Sequence, residues 1–267
     1  MDLPRLFQFD PPPDLQPDLA QWYVGELGQD VLHAEEALLA DILPELFGYH
    51  AVQLGQVVER NLLQASRIRH RTVVGADPRV EGLSPLVALP EQLPFASGSI
   101  DLVLIHHGVD TAVSTHALLR EASRVLIPGG HILVVGFNPW SLWGLWRALR
   151  FPWTRVPWLR RFVSPQRLAD WMRLLDFEVV GLESAFFAPP LQSAALRRRF
   201  AWLDHLGPRY WSQGGASYVL LARKHESCVT PIKHRIFTPQ RALAPILAEP
   251  HAGLEIDASP ATKPQDC

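Results

Sequence analysis

Two adjacent histidines, His106 and His107, close the apolar run "IDLVLI", and Asp110 follows three residues later. Histidine takes up and releases a proton near neutral pH, so such a cluster can serve a nucleophile that must lose one. His107, with Asp110 beside it, is the candidate base or substrate ligand. The competing assignment is that each histidine caps a helix or bonds a loop carbonyl. A second candidate lies upstream. Asp77, in "VVGADP", stands about twenty residues after Gly55. At that distance from the first glycine turn of a nucleotide-binding unit, an acid can accept both hydroxyls of a ribose. An Asp before Pro78 is also an ordinary turn residue. The spacing favours the ribose.

These residues need strands that end beside one another. The runs "HAVQLG", "RTVVGAD", "PLVAL", "IDLVLIHH" and "GHILVVGF" are short, apolar and rich in β-branched residues, each ending near a Gly, Asp, Pro or His. Helical stretches such as "TAVSTHALLREASRVL" separate several of them. Continuous apolar strands alternating with helices predict a parallel sheet covered on both faces. Ligands in such a sheet sit beyond the carboxyl ends of the strands, which directs attention to Gly55, Asp77, Leu89 to Glu91 and Ile105 to His107. Gly55 itself sits where a strand can hand over to a helix. "SPQRLADWMRLLDF" predicts a helix with Ser164 as N-cap and Pro165 in its first turn. "EVVGLESAFF" and "ASYVLLARK" predict two late strands joined by an insert over 190–213. Apolar residues at helical spacing from Ala20 to Leu46 predict an acidic helical extension over 1–44. From Glu226 onward Pro, Ala and Thr dominate, which predicts a disordered tail over 226–267.

The bulk numbers exclude several classes. With 267 residues, 48% hydrophobic and 19% charged, the chain reads as a soluble globular protein. Its two cysteines, Cys228 and Cys267, are too few for a disulfide framework or a zinc site, so no metal is expected and a reducing compartment, the cytoplasm, fits. The N-terminus shows no basic segment followed by an apolar run, hence no secretory signal. Residues 125–146 contain no Asp, Glu, Lys or Arg and have the length of a membrane span, but Pro128-Gly129-Gly130 and Asn138-Pro139 cut them into turn, strand, turn and helix start. Residues 1–50 hold ten acids and one base, whereas 140–241 hold sixteen bases and six acids. No dense basic run marks a nucleic-acid site.

"LPEQLPFASGSIDLVL" followed by "LLREASRVLIPGGHILVVGFNP" resembles the class I S-adenosylmethionine-dependent methyltransferases, in the subgroup that includes quinone-pathway C-methyltransferases. The resemblance rests on Leu93-Pro94-Phe95 before the fourth strand and on Arg124-Val125-Leu126-Ile127-Pro128-Gly129-Gly130 before the fifth. "GFNPWSLWGL" is similar to a set of proteobacterial methyltransferase-like proteins. The resemblance covers about residues 45–225. It implies a Rossmann-like, doubly wound, seven-stranded, mostly parallel sheet with helices on both faces and an antiparallel last strand.

It also implies S-adenosylmethionine as cofactor, with Gly55 and Gln56 in the first loop, Asp77 on the ribose, backbone groups at Leu89 and Pro90 beside the adenine, and His106 along the methionine moiety. His107 and Asp110 fall where a substrate would meet the methyl group. Two departures stand out. The family's first loop is Gly-x-Gly-x-Gly, and here it reads Gly55-Gln56-Val57-Val58-Glu59. The Asp that commonly bonds the adenine amino group is replaced by Leu89. Three readings follow: a methyltransferase acting on a small acceptor, a catalytically inactive methyltransferase-like binding or regulatory protein, and a nicotinamide-linked oxidoreductase, the last opposed by its absent glycine fingerprint.

Five of the nine tryptophans, Trp140, Trp143, Trp146, Trp153 and Trp158, share residues 140–161 with five arginines and no acid. Trp beside Arg is the composition of segments that lie at headgroup depth. The segment 140–165 is therefore a candidate lid over an apolar or amphipathic acceptor, or a peripheral membrane contact. The alternative packs its first three tryptophans against the sheet while the arginines reach solvent. "LRRRF" at 196–200 adds a local basic cluster.

Overall fold

Each apolar run that ends at a Gly, Asp or His becomes a strand of one seven-stranded sheet. The computed structural model describes residues 15–55, 58–75, 79–150, 162–191, 193–200 and 202–225. The strands are β1 (His50–Leu54), β2 (His70–Gly75), β3 (Ser84–Val87), β4 (Ile100–His106), β5 (Leu126–Phe137), β6 (Phe177–Ala185) and β7 (Ser217–Lys224), in the order β3-β2-β1-β4-β5-β7-β6. Strands β1 to β5 are parallel to one another, and β7 runs antiparallel to both β5 and β6. This is the architecture the sequence predicts. The register sets Leu54 beside Ile105, so the ends of β1 and β4 emerge side by side.

The helices are α1 (Leu15–Val24), α2 (Glu26–Ile42), α3 (Gly108–Thr111), α4 (Thr115–Val125), α5 (Leu142–Arg150), α6 (Pro165–Leu174), α7 (Ala194–Arg199) and α8 (Trp202–Tyr210). Side chains alternate across the sheet and give it two apolar faces. Ala51, Val73, Leu102, Leu104, Leu133 and Val135 pack with Leu27, Val31, Leu32 and Leu39 of α2. Val52, Val74, Val103, Ile105, Ile132 and Val134 pack with Leu118 and Leu119 of α4 and Leu168 and Met172 of α6. Ser164 caps α6 as expected, its hydroxyl accepting from Arg167 N, with Pro165 at the first turn. The uncharged window 125–146 is the last residue of α4, then β5, a turn and the start of α5; the turn expected at Pro128-Gly129-Gly130 instead lies within β5. Among the described residues no helix is long and apolar enough to cross a membrane.

Two expectations are corrected. The N-terminal segment is two helices broken at Gly25, and it is part of the core rather than an extension. Leu19, Tyr23, Val31, Leu32, Leu39 and Leu43 are all buried in the same cluster as the sheet. The helices cross closely because Gly28 lacks a side chain: a Cβ there would lie 2.6 Å from Tyr23 Cα. The second correction follows β1. Residues 58–69 run as turns and coil with no helix. The buried Gln53 explains the local path, since its Nε2 donates to Arg60 O at 2.9 Å and its Oε1 accepts from Leu62 N at 3.0 Å. With α2 already covering this face, no crossover helix is needed to bury it. The predicted tail over 226–267 lies outside the described residues.

If α2 belongs to the core, Leu32→Ala should cost about 2–5 kcal/mol, the range for truncating a buried leucine. Urea unfolding of the parent and the variant checks this. A loss near zero would return the segment to the status of an appendage.

Candidate functional site

The carboxyl end of β4 gathers the ionisable groups of the core. His106 follows Leu102 and Leu104 in strand alternation and therefore points toward α2. His107 then takes left-handed backbone angles, with φ 50° and ψ 15°, and opens α3. A residue with a Cβ pays about 1 kcal/mol or more for that conformation. Hydrogen bonds offset the cost: His107 N donates to Val135 O at 2.9 Å, and Asp110 N donates to His107 O at 3.2 Å. The turn swings the His107 ring to the same side as His106. There it lies 4.2 Å from the Phe137 ring, centroid to centroid.

Facing them is Glu35 of α2. It occupies the stripe Leu27, Val31, Glu35, Leu39, four residues apart, and like its neighbours it is buried. One carboxyl oxygen lies 3.1 Å from His106 Nε2 and the other 3.1 Å from His107 Nε2. His107 Nδ1 lies 2.9 Å from Asp110 Oδ2, which also accepts from Phe137 N at 3.1 Å. The Tyr23 hydroxyl sits 2.7 Å from His107 Nε2 and 3.3 Å from Glu35 Oε2. Glu35, His106, His107 and Asp110 are at most 4% exposed. The network joins α1, α2, β4, α3 and the end of β5.

Burial opposes every charge here, but the partners decide the outcome. On Glu35, burial favours the neutral acid, while His107 and the hydrogen bonds from both histidines hold the carboxyl well below the usual range. On His107, burial favours the neutral ring, while Glu35 and the bond to Asp110 push its pKa up to about 9. On His106, burial dominates and, with the charge on His107, moves the pKa down, so that ring stays neutral. It donates through Nε2 to Glu35, and its Nδ1 has no hydrogen-bond partner.

The histidine–acid cluster expected from the sequence is therefore real, but its geometry is that of an internal ion bridge. Both ring nitrogens of His107 are engaged and the ring is buried, so it faces Glu35 and Asp110 rather than an open substrate site.

Glu35, His106 and His107 also offer the donor types of a metal site, with ligand atoms within 4.8 Å of one another. Each of these atoms is already engaged at hydrogen-bond distance, and the network is closed to solvent.

Gly55, at the end of β1, leans on this centre. Its φ is +86°, and a Cβ would lie 2.4 Å from His106 O. Only glycine meets both demands. Gln56 and Asp77 lie outside the described residues. Leu89 is exposed and Pro90 half-buried in a turn closed by Gln92 N to Leu89 O at 2.9 Å. Beside it is a cleft of about 310 Å³ lined by Val87, Ala88, Leu93 and Glu121. A larger cavity of about 860 Å³ opens between α2, the end of β6 and the α7–α8 arm, lined by Ala34, Leu38, Phe186, Phe187, Arg198 and Asp204 among others. Of the tryptophan segment, Trp143 is buried and donates from Nε1 to Ala188 O at 2.9 Å, Trp146 is half-buried and Trp140 exposed. Trp153 and Trp158 lie outside the described residues.

Glu35 and Tyr23 escape the sequence reading. The available signal is an acid at a core position of an otherwise apolar helical stripe. Such an acid must find a partner, because an unpaired buried charge is costly.

A sheet of this order, with a glycine turn closing β1 against the end of β4, defines a class I methyltransferase fold. Residues 53–134 match the family described as Methyltransferase domain. The chain is 34% identical over 137 residues to the uncharacterized protein YafS of Escherichia coli (strain K12), covering 51% of this chain and 55% of that one. It is 32% identical over 129 residues to the ubiquinone/menaquinone biosynthesis C-methyltransferase UbiE of Rubrivivax gelatinosus, covering 44% and 51%. The chain thus spans about half the length of these curated relatives. Among solved structures, an S-adenosylmethionine-dependent methyltransferase from Thermotoga maritima, described as a possible histamine N-methyltransferase, shares the fold. Its TM-score is 0.56 at 19% identity, over 79% of this chain and 96% of that one. The chain therefore has the fold of these methyltransferases, and residues 53–134 carry the likeness to their family.

The ion bridge has a pH signature. His107 titrates near 6.5 in an unfolded chain and near 9 when folded. Its contribution is complete below pH 6.5 and is lost as the pH rises through 9. Glu35, lowered on folding, contributes above its unfolded pKa of about 4.5 and loses that contribution as the pH falls. Unfolding free energy, from urea titrations across pH, should drop on the order of 2–3 kcal/mol between pH 6.5 and 9. In Glu35→Gln that slope should flatten. Equal slopes in the two proteins would show that His107 is neutral in the fold.

Proposed function

We propose that this chain transfers the methyl group of S-adenosylmethionine to a small, amphipathic acceptor. The observation that carries the reading is the Gly55 turn. Its backbone passes so close to His106 O that no side chain fits, which seats the end of β1 directly against the turn after β4, at the strand ends where the fold places its ligand. The single glycine thus keeps the tight turn that the first loop of this fold requires. Bound there, the cofactor supplies an electrophilic methyl on a sulfonium centre.

The residues of this chain are assigned as follows. Gly55 and Gln56 line the approach, Asp77 accepts the ribose hydroxyls, and backbone groups at Leu89 and Pro90 flank the adenine beside the 310 Å³ cleft. His106 and His107, with Asp110 and Glu35, act as positioning residues. They fix the β4–α3 turn against the Gly55 loop and hold a charge under the site without touching the acceptor. Transfer between an aligned pair draws most of its rate from orientation, so a rigid turn is a sufficient contribution. A nucleophile that carries a proton then releases it to solvent or to the acceptor's own groups.

The acceptor reading rests on the 860 Å³ cavity, with apolar walls at Ala34, Leu38 and Phe186 and an arginine, Arg198, at its margin. That lining fits a molecule with an apolar body and an anionic or polar end. The UbiE relatives are C-methyltransferases of ubiquinone and menaquinone biosynthesis, and a quinone has an apolar body and a polar end. The chain is assigned to the cytoplasm, with no nucleic-acid partner.

Calorimetric titration with S-adenosylmethionine tests the reading. Binding in the micromolar range is expected, weakened about tenfold or more in Asp77→Ala through loss of hydrogen bonds to a charged group. No heat at millimolar cofactor would assign the domain to the non-catalytic reading. Unchanged affinity in the variant would remove Asp77 from the ribose.

A further inference from the structure

The arm between β6 and β7 presents an apolar face that the core does not use. In α8, Trp202, Leu206 and Tyr210 recur every four residues, which aligns them on one side of the helix over about 12 Å. They are 53%, 43% and 79% exposed. Trp211 follows at 48%, its ring laid over Gly214, and Leu196 of α7 is 48% exposed. Trp140, 69% exposed, rises nearby: Asn138, two residues before it, donates to Gln213 O and Gly215 O at 2.6 and 3.1 Å. Isolated exposed apolar residues are ordinary, but a row of aromatics is not.

The exposed charges on the arm itself are cationic, while Glu26 and Asp30 of α2 beside it are paired with Arg197. Arg198, Arg199 and Arg209 are exposed. From Ser193 to Trp211 the single acid is Asp204, and its carboxyl is turned inward to accept from Phe187 N at 2.6 Å. The fourth arginine, Arg197, is buried and clamps the arm to α2: its Nε donates to Asp30 Oδ2 at 2.7 Å, and its Nη1 donates to Leu191 O at 3.0 Å. The arm is thus a platform held from below, with exposed aromatic rings on α8 and exposed arginines on the arm and at the cavity rim.

We propose that the α7–α8 arm is a docking surface for an anionic lipid bilayer. Tryptophan and tyrosine rings partition to the headgroup level, and arginines beside them meet lipid phosphates. Each arginine near an anionic surface adds about 1 kcal/mol, or roughly fivefold in partitioning. The surface borders the 860 Å³ cavity, which Arg198 and Asp204 of the arm help to line, so a docked chain would hold that cavity next to the lipid. The inference does not depend on methyl transfer.

Co-sedimentation of the full chain with phosphatidylcholine vesicles, with and without phosphatidylglycerol, tests it. Binding is expected only to the anionic vesicles and should weaken at high salt. Arg198→Gln with Arg199→Gln should lower the partition coefficient about thirtyfold, and Trp202→Ala with Tyr210→Ala should abolish binding. Circular dichroism and Tm should match the parent in both variants, because these side chains are exposed. Absence of binding, or equal binding by parent and both variants, would overturn the proposal. So would a concentration-dependent dimer abolished by the same substitutions, which would assign the face to a second copy of the chain.

Discussion

The ion bridge from Glu35 through His107 to Asp110 is the constraint around which the carboxyl edge of the sheet is built. Once Glu35 is placed on the inner face of α2, its charge cannot be left alone, because a buried carboxylate without a partner costs several kcal/mol. His107 answers it, and to do so it must leave the strand in a left-handed turn. That turn aims the ring back at α2, starts α3, and brings Asp110 under the imidazole and onto the amide of Phe137. One charge pair therefore fixes the relation of the N-terminal helices to the sheet.

This bridge also shapes the ligand edge. The carbonyl of His106 is the surface against which Gly55 turns, so the loop after β1 and the turn after β4 are set by the same contact. In a fold that places its ligand beyond these strand ends, this contact seats the end of β1 on the turn after β4.

The tryptophan-rich segment shows composition dividing into separate roles. Trp143 is a core residue, its indole bonded to Ala188 O and its ring near Phe137 and Phe186. Trp140, three residues earlier, points to solvent. The exposed aromatic row continues on α8, far along the chain, because the antiparallel pairing of β5 with β7 brings the end of the insert beside residue 138.

The sheet was legible from the sequence because its determinants are local. Apolar runs such as "LVLI" and "ILVV" bury both sides of a strand wherever they fall, and the spacing of helices between them dictates parallel order. Gly55, the Ser164 cap and the His106–His107–Asp110 cluster were legible for the same reason, since each is a residue type tied to a local backbone or chemical need. The role of the cluster was not. Whether an imidazole accepts a proton or carries one depends on what faces it, and the facing residue, Glu35, lies 72 positions away from His107. The missing helix after β1 was hidden likewise, because α2 from another part of the chain covers that face. Sequence alone determined the strands, the parallel character of the sheet and the local cluster after β4. Tertiary structure decided which partners each ionisable group meets, because electrostatic free energy in a low-dielectric core is set by neighbours in space rather than in sequence.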